Sequence, residues 1–96
     1  MSSYLIVHAT VKDPDKLKQY GAAASEIVRA HGGEFVTRAQ VTDVLVGSHD
    51  HKICVLITFP DGAALKAWYN SPDYQALVPL RDEAADMVFI AADEMT

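Results

Sequence analysis

ICVLITF, Ile53 to Phe59, is the stretch that decides the fold. Its β-branched and aromatic residues, closed by Pro60-Asp61-Gly62, read as a strand. Side chains alternate across a strand, so Ile53, Val55, Ile57 and Phe59 share one face while Cys54, Leu56 and Thr58 share the other. Both faces are apolar. MVFIAA at 87–92 repeats the pattern, with Met87, Phe89 and Ala91 opposing Val88, Ile90 and Ala92. YLIVHATV at 4–11 does so again, with Leu5, Val7, Ala9 and Val11 opposing Tyr4 and Ile6.

Working outward, the first strand ends at Asp13-Pro14-Asp15, where Asp13 caps a helix that has Pro14 at its first position. That helix gathers Leu17, Tyr20, Ala24, Ile27, Val28 and His31 on one face and stops at Gly32-Gly33. EFVTRAQ from Glu34 and TDVLVG from Thr42 read as strand, either two or one long strand with a bend, and GSHD reads as a hairpin loop before ICVLITF. A short helix covers 63–69 and breaks at Asn70-Ser71-Pro72. A further helix starts at Pro72, capped by Ser71, and carries Arg81.

The order β-α-β-β-α-β predicts an α+β, ferredoxin-like domain over residues 1–96, with a four-stranded antiparallel sheet and its helices on one face. Two helices cover one face only. The second apolar face would leave several hundred Å² of hydrophobic surface in water, more than monomers usually tolerate. A homodimer with two sheets packed face to face is therefore expected.

The remaining composition narrows the function classes. Of 96 residues, 8 are basic and 13 acidic, net charge −5, with no dense basic run, which argues against nucleic acid or anionic membrane as partners. The apolar N-terminal run is too short for a secretory core or a membrane span, so a cytoplasmic protein is expected. Cys54 is the single cysteine and reads as a buried, inert thiol.

Five segments together resemble the domain-of-unknown-function family DUF1330, within the dimeric α+β barrel superfamily. They are Asp13-Pro14, Gly32-Gly33 followed by Phe35 and Arg38, Phe59-Pro60, AWYNSPDYQ at 67–75, and Leu80-Arg81. The resemblance spans nearly the whole chain and implies a ferredoxin-like subunit that dimerises through its sheet. It implies no reaction, although the wider superfamily includes cofactor-free monooxygenases, isomerases and ligand-sensing domains. Two positions depart from the family pattern: Val46 and Thr58 stand where many members carry glutamate, which removes two candidate bases.

Arg81 sits on a stripe, with Leu77, Val78, Ala84 and Ala85, that should be buried. Either its guanidinium pairs with Asp82 or Asp86 as a clamp, or it faces a cleft and holds a carboxylate or enolate. His8, among Tyr4, Ile6 and Thr10, is the best general base by its near-neutral pKa, or else a satisfied strand residue. Arg38 shares a face with Glu34 and Val36 in a regular strand. Convergence of His8, Arg38 and Arg81 would define proton abstraction beside a carbonyl, with Arg38 and Arg81 holding the anion.

Tyr20, Trp68, Tyr69, Ser71 and Tyr74 are the candidate ligand-binding residues. His49-Asp50-His51 offers two imidazoles without a third ligand and reads as a solvated loop, so no metal is expected, and His31 suits the helix C-terminus. No nucleotide, serine-hydrolase or zinc-peptidase motif is present, and no cofactor is expected. The leading expectation is a cofactor-independent pocket for a small carboxylated or aromatic molecule, with proton-transfer or monooxygenase-like chemistry. Its alternative is a non-catalytic ligand-binding or structural homodimer.

Overall fold

The computed structural model of the chain describes residues 2–95. β1 (Ser3–Val11), α1 (Pro14–Ala30), β2 (Glu34–Gln40), β3 (Ile53–Phe59), α2 (Gly62–Asn70), α3 (Pro72–Gln75), α4 (Val78–Ala84) and β4 (Ala85–Asp93) follow in order. The strands form one antiparallel sheet in the order β2-β3-β1-β4. This is the ferredoxin-like arrangement the patterning predicts.

Local signals act as expected at the starts of α1 and α2. Asp13 accepts hydrogen bonds from the amides of Asp15 and Lys16, and Asp61 accepts one from Ala64. The core lies between the helices and one sheet face. Tyr20, Ala24 and Val28 from α1, Leu65 and Trp68 from α2, and Tyr74 from α3 pack on Leu5, Val7, Ile57 and Phe59. Gly33 lets the chain turn back under α1, because a Cβ there would lie 2.6 Å from Val28 Cγ1 and 2.8 Å from Phe59 Cε1.

Four expectations are corrected. TDVLVG is not a strand: β2 ends at Gln40, and Leu45 and Val46 are more than nine-tenths exposed in an irregular segment with no sheet partner. β-Propensity alone does not make a strand where no ladder forms. The helix carrying Arg81 is broken after Gln75, since Pro79 has no amide to bond Gln75 and its ring crowds that carbonyl. A bulge at Val36 shifts the register, so Glu34 pairs with Thr58 and Arg38 with Val55, on opposite faces. Arg38 therefore shares neither the face nor the pairing of Glu34. Finally, Cys54 is only half-buried, on the face away from the helices.

α4 runs into β4 with no intervening loop. Ala84, fully buried, accepts hydrogen bonds through its carbonyl from the amides of Lys12 and Asp13 at 2.9 Å each, which fixes α4 against the start of α1.

Candidate functional site

Arg81 is held at the start of this α4–β4 junction. Its guanidinium lies over the Phe89 ring, 5.3 Å from the centroid, and its side chain is 16% exposed. Nη1 donates to Tyr74 Oη at 3.2 Å, and Nε donates to Asp82 Oδ1 at 3.2 Å. Tyr74 is fully buried, and its hydroxyl lies 2.7 Å from that of Tyr20. Asp86, the other proposed partner, pairs with Lys12 instead at 3.4 Å.

Arg81 borders a cavity of about 400 Å³ with Lys66, Trp68, Tyr69, Asn70, Met87 and Phe89 on its walls. A larger cavity of about 900 Å³ runs between α1 and the sheet, and Trp68, Met87, Phe89 and Leu5 line both. Tyr20 and Arg38 line the larger one, together with Lys18 and Arg29. Its floor is aliphatic. The smaller cavity thus has a guanidinium, an ammonium, a hydroxyl and an amide around an aromatic wall.

Trp68 supplies a feature that sequence reasoning did not isolate. The residue is 1% exposed, and its indole Nε1 has no hydrogen-bond acceptor among the described residues. Leaving a buried donor unpaired costs about 1–3 kcal/mol, so such groups are rare outside sites that receive a partner.

Burial raises the pKa of both Tyr20 and Tyr74 above the ordinary phenol value. For Tyr20 the neighbouring Tyr74 adds to the rise, while at Tyr74 the bonds from Tyr20 and Arg81 offset part of it. Both hydroxyls therefore stay protonated and neutral. Burial works against the charge on Arg81, but its bonds to Tyr74 and Asp82, with the Tyr69 hydroxyl nearby, outweigh that and hold it as a cation. Among the described residues, neither cavity is lined by a carboxylate or a histidine.

The structure does not bring His8, Arg38 and Arg81 together. Leu5, Val7 and Ala9 point to the helices, so His8 points to the opposite, open face, and it is no base for a molecule beside Arg81. Arg38 and Arg81 line different cavities. Ser71 is committed to capping: its hydroxyl donates to Trp68 O at 2.8 Å and accepts from Tyr74 N at 3.2 Å. Tyr74 stands behind Arg81 and lines neither cavity, while Trp68 and Tyr69 do line the Arg81 cavity.

His49 and His51 are half-buried rather than solvated, because the segment before β3 folds back over the open face. The His8 and His49 rings meet edge to face with centroids 4.5 Å apart, and His49 and His51 lie 5.6 Å apart. His8 is thus the third imidazole that spacing did not reveal. Among the described residues no three histidine, cysteine or acidic side chains are disposed to hold a metal. No helix among them is long and apolar enough to cross a membrane.

The fold and site define a small ferredoxin-like α+β protein with an apolar, cation-tipped cavity between helices and sheet. The chain belongs to the family described as domain of unknown function DUF1330, whose model matches residues 2–95. Among solved structures it is similar to a protein of unknown function from Rhodopseudomonas palustris, with 19% identity and TM-score 0.78 over 99% of this chain and 83% of that one. It is also similar to SnoaB, a cofactor-independent oxygenase from Streptomyces nogalater, with 12% identity and TM-score 0.69 over 99% and 94%. A third is a dimeric ferredoxin-like protein of unknown function from Thermobifida fusca, with 20% identity and TM-score 0.61 over 96% and 90%. A search of the curated proteins finds no match.

Proposed function

We propose that the chain binds one small organic molecule, carboxylated or aromatic with an ionised enol or phenol, beside Arg81 and without a cofactor. The observation that carries this reading is the unpaired indole N–H of Trp68, buried on the wall of the cavity that Arg81 borders. A carboxylate or enolate would accept from both, and Phe89 and Met87 would cover its apolar body. Arg38, Lys18 and Arg29 extend the same preference for anions to the larger cavity.

Any chemistry here starts from a substrate that is already ionised, because the lining offers no base and both buried tyrosines are neutral. Arg81 would stabilise the anion as it exchanges a proton with solvent or reacts with dioxygen, as fits the cofactor-independent oxygenase among the structural neighbours. The same missing base favours a second reading, a non-catalytic binding module. Two copies assembling through the open sheet face complete the proposal: Ile6, Leu56, Val88 and Ile90 lie there, and Val88 and Ile90 are 43% and 44% exposed.

Trp68 is the single tryptophan, so its fluorescence reports the site directly. Titration with benzoate, salicylate and 1-naphthoate is expected to give a saturable change that Arg81→Met abolishes. No saturable change with any of them, or full binding by Arg81→Met, overturns the reading. Dioxygen uptake or solvent deuterium incorporation into a bound acid separates the catalyst from the binding module.

A further inference from the structure

The histidines left outside the cavity form an arrangement of their own. His8 sits at the centre of the open face, opposite Cys54 on β3 and Val88 on β4. His49 and His51 come from the segment that folds across that face, and His51 Nδ1 lies 2.9 Å from Thr10 Oγ1. His8 Nδ1 and His49 Nε2 are both buried with no hydrogen-bond partner among the described residues. His8, in edge contact with His49 and hiding a bare nitrogen, packs well only while neutral: a proton added to it would be buried beside a second imidazole.

We propose that this cluster makes the open sheet face a proton-gated self-association surface. A neutral His8 holds the segment across the sheet and lets two copies pack, whereas its protonation separates the faces. This rests on the sheet-to-sheet dimer proposed above, and adds what controls it.

The charged groups around the cluster leave the proton unbalanced. Cys54 faces His8 from β3 and carries no charge when a thiol. From β4, Asp86 lies opposite Thr10, but its carboxylate is paired with Lys12. On the segment itself Asp50 is exposed to water between the two imidazoles. Burial lowers the pKa of His8 below its ordinary value, and His49 and then His51 lower it further, in line with the geometry. A lowered value means that the packed state resists the proton, so the effect is absent above about pH 6.5 and grows as pH falls below it. A partner copy packed against the crossing segment would exclude more water from His8 beneath it and strengthen the same preference.

Sedimentation equilibrium at about pH 7.5 and about pH 5.5, on the unmodified chain and on His8→Gln and His49→Gln, tests this. The unmodified chain is expected to dimerise at the higher pH and to lose about tenfold or more in dimer affinity at the lower, with its far-ultraviolet circular dichroism unchanged. Each glutamine variant is expected to lose most of that pH dependence. Should His8→Gln misfold within the sheet, His49→Gln, on the crossing segment, carries the comparison. A dimer whose affinity is the same at both pH values, or a variant as pH-dependent as the unmodified chain, overturns the proton gate and leaves the dimer standing. A monomer at both pH values overturns the dimer itself and the gate with it.

Discussion

The hydroxyls of Tyr20 and Tyr74 lie 2.7 Å apart, tying the middle of α1 to α3 inside the core. Tyr74 Oη also receives Arg81, so this one oxygen links two helices to the guanidinium at the cavity. Tyr20→Phe leaves Tyr74 with Arg81 and is expected to cost about 1 kcal/mol. Tyr74→Phe strips a partner from two groups and is expected to cost about 2 kcal/mol. Urea unfolding of both variants and of the double variant, read as a cycle, checks the ranking and the coupling.

The same pair sets an alkaline limit. Both phenols have a raised pKa in the folded chain, chiefly through burial, so the folded state holds protons that the unfolded state releases. Their contribution to stability is complete below about pH 10 and is lost as pH rises above it. The melting temperature is expected to fall steeply there, and less steeply in Tyr20→Phe. A scan of melting temperature against pH on both proteins decides this.

Arg81→Met isolates the cavity from the fold. The ion pair with Asp82 is largely exposed on the carboxylate side, 65%, and such pairs contribute about 0–1 kcal/mol. Methionine keeps apolar contact with Phe89, and Tyr74 keeps Tyr20. Stability is expected to stay within about 1 kcal/mol of the parent while anion binding is lost. A drop well beyond that in urea unfolding would make Arg81 a structural clamp.

Gly33 is fixed by packing. Its backbone passes so close to Val28 and Phe59 that a Cβ cannot be placed without moving one of them, and both are 1% exposed. Gly33→Ala is expected to destabilise by about 1–3 kcal/mol, measured by urea unfolding. Gly21, whose Cβ would meet nothing within 4 Å, is the control, and alanine there is expected to be neutral or stabilising.

Much of the fold was legible because period and punctuation agree. Asp13-Pro14 marks the start of α1, Gly32-Gly33 its end, and the two-faced alternation of ICVLITF marks a central strand. What was not legible came from tertiary placement. The bulge at Val36 turns Arg38 to the helix side, and no local pattern announces it. His8 was readable as a residue of the face opposite Leu5 and Val7, which already separates it from a stripe on the helices; the fold-back of His49 and His51 onto it was not. Pro79 was a visible helix breaker, and reading it would have ended α3 where the structure ends it. The orphan N–H of Trp68 has no sequence signal, since only the packed neighbourhood shows that nothing accepts from it.

Leu45 and Val46 give the proposed interface its sharpest test. They are 91% and 93% exposed, so in a single copy they contribute almost nothing to the core, and exposed substitutions of this kind usually stay within about 0.5 kcal/mol. Replacing both with serine is therefore expected to leave the unfolding of dilute monomer unchanged. If the segment joins the sheet-to-sheet contact, burying two such side chains adds about 3 kcal/mol or more per copy, and the paired variant loses that. Its melting temperature should then stop rising with protein concentration, whereas that of the parent keeps rising. A parent whose melting temperature is flat with concentration removes these two residues from any interface.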